Sequence, residues 1–468
     1  MPRSAGPAPV AVLLACLLAA CDGGAAGAAG AAGVRDPYFP EAGNGGYDVT
    51  HYGLTLDYEP GTRRLTGTAE IEARAAQDLS AFHLDLRGMT VESVEVAGED
   101  APFHRAGRHE LVVRPGVPVG KGRAFTVVVR YSGVPETVRD PDGSEEGWLP
   151  TEDGALALGE PVGAMTWFPG NHHPSDKASY DITVAVPEGL EAVSNGELRR
   201  RTVRGGRAVH EWHVAEPMAS YAATVAVGEF RIRRSETPGG LPVYVAVDPT
   251  QAAASAEVLG RVPEIVEWGE RVFGPYPFSS TGAIVERKDD AGYALETQNR
   301  PVFPGAPGVG LLVHELAHQW YGNSVTPRSW RDMWLNEGFA TYAEWLWAEE
   351  HGGDSAQEVF DLLYAGDYFG KKAENDAVWD FPPARPPSAA RISDSPVYER
   401  GAMVLHKVRL AVGDRAFRAM ARGWAAGRRH GHADTDDFTA YVEEKAPDVD
   451  FSGIWEDWLY GEGRPDKP

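Results

Sequence analysis

The chain has 468 residues, a formal net charge of -24, a pI near 5.0 and 43% hydrophobic residues. The excess of acid argues against a nucleic-acid partner, whose phosphates it would repel, and favours solubility. The hydrophobic content supports proper cores, and the length exceeds what one core of usual size organises, so two domains are expected.

Arg3 precedes an apolar run from Val10 to Ala20, too short to span a bilayer as a helix and laid out like a secretory signal, so residues 1–20 are read as a signal peptide. The run ends Leu18-Ala19-Ala20-Cys21, which is similar to a bacterial lipobox. That likeness implies cleavage before Cys21 and diacylation of its thiol; an ordinary signal peptide cut nearby is the simpler alternative. Cys16 leaves with the signal, so the mature chain has no thiol for a disulfide. Residues 21–46 follow as lipidated cysteine and tether. Within them Asp22 to Val34 read as a flexible leash, spanning roughly 20 Å root-mean-square. The expected product is secreted across the cytoplasmic membrane and held to its outer face by lipid. No further stretch of eighteen apolar residues appears.

Residues 47–230 carry a period of two. Leu54, Leu56 and Tyr58 alternate with polar neighbours, as do Phe82, Leu84 and Leu86, and turn residues such as Ser194-Asn195-Gly196 separate the runs. The pattern predicts an antiparallel β domain of sandwich type. A strand at Val243 to Val247 opens the second domain, residues 231–468, where helical periodicity begins near Ala252. The fold class is therefore α+β.

The chemistry concentrates between Val313 and Glu344. His314 and His318 are four apart, so on a helix both imidazoles lie on one face and can reach one cation. Glu315 points towards the same side, placed to take a proton from water without occupying the metal. Helical composition resumes near Arg331, so a second helix can return antiparallel and present Glu337 as the third ligand. Three protein ligands with one open position is the donor set of a catalytic zinc. Leu311, Leu312, Leu316, Ala317, Trp320 and Tyr321 make the first helix apolar on most faces, which argues against two solvated histidines.

This stretch resembles the aminopeptidase N family of gluzincin metallopeptidases, and the likeness extends over nearly all of the mature chain. Gly43 to Asp48, Trp167-Phe168-Pro169 through Asp176-Lys177-Ala178, Ser194-Asn195-Gly196 and Phe273 to Pro277 are similar to family signatures. The resemblance implies a thermolysin-like, mostly helical catalytic domain and one zinc per chain, on His314, His318 and Glu337, with Glu315 as general base. Tyr398, in Val397-Tyr398-Glu399-Arg400-Gly401-Ala402, matches the family's catalytic tyrosine; a phenol stays protonated at neutral pH and can donate to an oxyanion. Glu296, in Tyr293-Ala294-Leu295-Glu296-Thr297, falls where the family holds the substrate's α-ammonium, and Glu160 where it places a second recognition residue. Tyr293 and Thr297 depart from the family's usual residues and bear on the first pocket.

Peptides are the implied substrates. The likeness ends near Trp455 to Pro465, which implies a compact two-domain form with an open cleft, part of whose wall the loop from Tyr368 to Pro396 can supply. Alternatives are a thermolysin-like endopeptidase, which would not need Glu296, a zinc epoxide hydrolase, and a non-catalytic peptide-binding lipoprotein. His172-His173, in a β-domain loop, are read as solvated.

Overall fold

The computed structural model describes residues 27–466, so the signal segment and Cys21 lie outside it. Strand Tyr47–Glu59 shows how the β domain forms. Tyr47 and Val49 are buried, then Tyr52, Leu54, Leu56 and Tyr58. The buried set changes from odd to even positions at a bulge between Val49 and His51, which lets one strand keep its apolar side on one core. This strand is near the middle of an eight-stranded sheet in the order 197–204, 207–219, 177–187, 47–59, 64–75, 124–133, 90–96, 99–100. All neighbours are antiparallel except Tyr47–Glu59 with Lys177–Pro187. The expected antiparallel sandwich thus has a parallel pair inside its largest sheet, with Tyr52 stacked on Tyr180 at 4.9 Å. A five-stranded and a four-stranded sheet complete the domain.

The second domain opens with strands Arg231–Glu236, Pro242–Val247, Thr281–Val285 and Val302–Phe303 in one sheet. The helices are α1 (Ala252–Leu259), α2 (Val262–Phe273), α3 (Val309–Ala317), α4 (Trp334–Glu350), α5 (Ala356–Ala365), α6 (Lys372–Ala377), α7 (Gly401–Val412), α8 (Asp414–Gly427) and α9 (Thr435–Lys445). α4 is buried on nearly every side, so its 17 residues form the hub on which α3 and α7 pack. Among the described residues, no helix is long and apolar enough to cross a membrane.

The domains are joined by polar groups that reach backbone atoms across the boundary. Asn195 donates to the carbonyls of Ala222 (2.9 Å) and Gln298 (2.7 Å), and Gly196 N donates to Asn299 Oδ1 (3.0 Å). Buried Arg300 donates to the carbonyls of Ser194 and Gly196, its guanidinium near the rings of Trp212 and Tyr244. Lys177 Nζ, on the β domain, donates to the carbonyls of Asn323 (2.8 Å), Ser324 (3.1 Å) and Gly431 (3.2 Å).

Two sequence expectations are corrected here. Residues 27–46, read as part of a tether, are packed against the protein. Ala28–Ala29 pair in parallel with Leu79 and Ala81, and Asp36 is buried, accepting from Ser329 Oγ (2.8 Å) and Trp330 N (3.0 Å) of the catalytic domain. Burial opposes its charge, but these donors, the amides of Tyr38 and Phe39 and the His173 ring hold its pKa down at about 2. His172 and His173 are buried rather than solvated, on the Phe168 carbonyl (3.0 Å) and on Ser175 and Asp36 respectively. Composition reads such segments as loose; distant partners make them rigid.

Replacing Lys177 by Met strands three carbonyls at the domain boundary. It should cost about 2 kcal/mol, seen as a lower thermal midpoint by calorimetry at fixed pH.

Candidate active site

α3 and α4 run antiparallel, with Gly310 beside Glu344 and His318 beside Glu337. His314 lies in the last turn of α3, and His318 is its C-terminal cap residue. The chain turns at Gly322 (φ +119°), where a Cβ would strike Asn336 Oδ1 at 1.9 Å. Glu337, in the first turn of α4, places Oε2 at 3.2 Å from His314 Nε2 and 3.3 Å from His318 Nε2. The three are buried and bring one ligand atom each within 4.8 Å of the others.

Their outer partners fix how the rings are used. His314 Nδ1 faces Glu344 Oε1 at 2.8 Å, and His318 Nδ1 faces the Tyr321 carbonyl at 3.1 Å. Both rings therefore donate through Nδ1 and turn Nε2 into the cavity, as metal-binding imidazoles do. Glu344 was not singled out from the sequence. Its signal was available, because it stands seven residues after Glu337, two turns on along the same face.

Electrostatics make this corner a cation trap. Burial favours neutral imidazoles, yet Glu337 and Glu344 hold His314 well above its ordinary value, and His318 is held at about 9, chiefly by Glu337 and Glu296. Burial likewise opposes charge on Glu337, but the two imidazoles depress it to about 2. In the metal-free protein, protons therefore keep these donors together, and a divalent cation meets the same demand. Donor types, convergence and outer partners fit zinc.

Glu315 is buried, with Oε2 unpaired, and burial pushes it up to about 8 against the pull of His314 and His318. Tyr398 lies in a π-helical turn, Pro396–Arg400, ahead of α7, with its ring 6.1 Å from that of His314 and nearly parallel. Burial and the surrounding carboxylates raise its phenol well above the ordinary value, so it is a donor at neutral pH. It reaches this place because α7 meets α4 through glycines: a Cβ on Gly338 would lie 2.9 Å from the Gly401 carbonyl carbon.

Glu296 lies one residue beyond a bridge between Leu295 and Val302 at the sheet edge. Asn336 donates to its Oε1 (2.9 Å), and Asn323 and Gln319 to its carbonyl (2.5 and 3.3 Å). Glu160 comes from the β domain and, with Glu296 and Glu337, brings carboxylate oxygens within 4.8 Å of one another. Its Oε1 is buried and unpaired, and burial with those neighbours raises it well above the ordinary range. A solvated loop acid is thereby excluded for Glu160. All six catalytic-centre residues read from the sequence, and Glu160 besides, border one cavity of about 550 Å³. Ile392 and Ser393, from the loop from Tyr368 to Pro396, form part of its wall. The hairpin loop from Asp140 to Ser144 forms another part, which no motif signalled.

The description "Peptidase M1 N-terminal domain" matches residues 48–222, and "Peptidase family M1 domain" matches residues 307–458. An M1 zinc metallopeptidase from Deinococcus radiodurans superposes with a TM-score of 0.83 at 30% identity, covering 93% of this chain and 98% of that one. A mutant of such a protein from the same organism, bound to a Tyr-Ser-Ala substrate, gives 0.84 at 29% identity, with 93% and 99% covered. Human endoplasmic reticulum aminopeptidase 1 is 27% identical over 409 residues, 79% of this chain and 42% of its own length. The chain spans about half the length of such larger relatives.

Because the neighbouring carboxylates favour protonated rings on His314 and His318 and zinc needs them neutral, zinc uptake should release protons. Calorimetric titration in buffers of different ionisation enthalpy counts them, and apparent affinity should fall as pH is lowered from 9 to 6.

Proposed function

The chain belongs to peptidase family M1, and on that premise we propose that it is a zinc aminopeptidase acting on the free N-termini of peptides. The observation that carries the reading is the pair Glu160 and Glu296 beside the His314–His318–Glu337 corner, a site for a positive group one residue from the bond to be cut. The Deinococcus radiodurans protein bound to Tyr-Ser-Ala supports the substrate class.

His314, His318 and Glu337 would hold one zinc ion, which would supply Lewis-acid chemistry towards the scissile carbonyl and water. Glu296 and Glu160 hold the substrate ammonium through charge-assisted hydrogen bonds, and Asn336 keeps Glu296 aimed. Glu315 takes the proton of the attacking water as the new carbon–oxygen bond forms, then passes it to the departing amine as the carbon–nitrogen bond breaks. Tyr398 donates a hydrogen bond to the oxygen that gains negative charge between those events. No side chain becomes acylated. In the sequence, Leu18-Ala19-Ala20-Cys21 supports a lipid anchor on Cys21, outside the described residues, holding the enzyme at the outer face of the membrane.

Glu315→Gln should retain zinc and lose turnover by roughly a thousandfold, whereas His318→Ala should lose both; metal analysis beside rate measurement distinguishes them. Glu296→Ala should lower kcat/KM on aminoacyl anilides about tenfold to a hundredfold. N-acetylated anilides should resist the unaltered enzyme, and their cleavage at the same rate would establish an endopeptidase instead. Incorporation of labelled fatty acid should vanish in Cys21→Ala.

A further inference from the structure

Seven carboxylates border the cavity, with neither lysine nor arginine among them. Five serve the centre: Glu315, Glu337 and Glu344 around the metal corner, and Glu160 with Glu296 at the ammonium site. The other two, Asp140 and Asp142, stand on the loop between strands Thr137–Arg139 and Glu145–Pro150 of the β domain. Neither pairs with a lysine or arginine among the described residues; the nearby Arg139 pairs with Glu145 and donates to the Gly143 carbonyl (2.9 Å). Asp142 is exposed and bonds only within its own turn, its Oδ1 accepting from Ser144 N (2.9 Å) and Oγ (2.6 Å). Asp140 is buried against Glu146, whose carboxylate accepts from the amides of Val162 (3.1 Å) and Gly163 (2.7 Å). These two acids are close enough to share a proton. Of the two loop acids, Asp142 is the one that is not buried.

The loop also has a definite place relative to the substrate. Tyr293 borders the cavity, and its hydroxyl approaches the Glu160 carbonyl at 3.5 Å. Glu146, against which Asp140 is buried, binds the amides two and three residues after Glu160, so the loop lies on the ammonium side of the site. Tyr398 and Ser393 also border a neighbouring hollow of about 310 Å³, with Phe369 and Ala377. In an aminopeptidase nothing precedes the first residue. On the ammonium side, only that residue's side chain remains to fill the space.

We propose that the loop from Asp140 to Ser144 selects the side chain of the first residue, and that the preferred N-terminal residue is arginine or lysine. This rests on the aminopeptidase reading and deepens it. Both side chains are long and end in a cation that can meet Asp142, whose carboxylate has no lysine or arginine partner among the described residues. A glutamate at that position meets only like charge.

The test is kcat/KM for arginyl, lysyl, leucyl and glutamyl anilides on the zinc-loaded enzyme. The expected order is arginyl and lysyl above leucyl, and leucyl above glutamyl. Asp142→Asn should lower the arginyl-to-leucyl ratio about fivefold, the size expected of a partly screened ion pair, and added salt should compress it. Asp142→Lys should lower that ratio further and raise glutamyl relative to leucyl. Asp142 faces solvent, so an unchanged thermal midpoint will show that both variants fold. Equal rates on arginyl and leucyl anilides, or a ratio unmoved in both variants, would overturn the proposal while leaving the aminopeptidase standing. Absence of all hydrolysis would remove both.

Discussion

Negative charge packed where water is scarce is the condition on which this molecule depends. Glu337 sits between two imidazoles, and Glu160, Glu296 and Glu315 are gathered around it in a single cavity. Carboxylates so close repel one another strongly unless positive charge lies between them. Among the described residues no lysine or arginine borders this place, so the balancing charge has to come from what the cavity takes in. Binding and chemistry are then two uses of one electrostatic deficit. The uncompensated oxygens of Glu160 and Glu315 are where that deficit shows directly.

Holding such a deficit open requires a stiff frame, and the joint between the domains provides it. The turn at Ser194–Gly196 is bound to residues 298–300, just beyond Glu296, and Asn299 N donates to Gln319 on the loop after α3. Lys177 holds the Asn323 carbonyl while the Asn323 side chain holds that of Glu296. The β domain thus contributes Glu160 to the cavity and also supports the strand that carries Glu296 from behind. Neither domain alone contains the ammonium site.

Local periodicity explains what was legible in advance. His314 and His318 were readable because four residues make about one helical turn, and Glu337 because a second helix returned within reach. The two-residue alternation of Tyr47–Glu59 made its strand visible, though not the parallel neighbour that arrives after more than a hundred residues. Tyr398, Glu296 and Glu160 were placed by family likeness, since nothing local in the chain brings a π-helical turn, a sheet edge and a β-domain loop to one cavity. The misreadings have a common origin. Residues 27–46 are rich in glycine and alanine, which reads as slack chain. Several of those glycines are there for contact, as at Gly30, where a Cβ would meet the Gly45 carbonyl at 2.6 Å. His172 and His173 were misread for the complementary reason, because the acid that covers His173 lies 137 residues earlier.

The bare contact between Gly338 and Gly401 sets a ruler for the reaction. Glu337 immediately precedes one glycine and Tyr398 stands three residues before the other, so the spacing from phenol to metal corner is fixed by two backbones touching with nothing between them. Side chains breathe by changing rotamers, but a backbone-to-backbone contact has no such freedom. The Tyr398 phenol is thereby gauged against a rigid stop, and its alignment is inherited from helix packing.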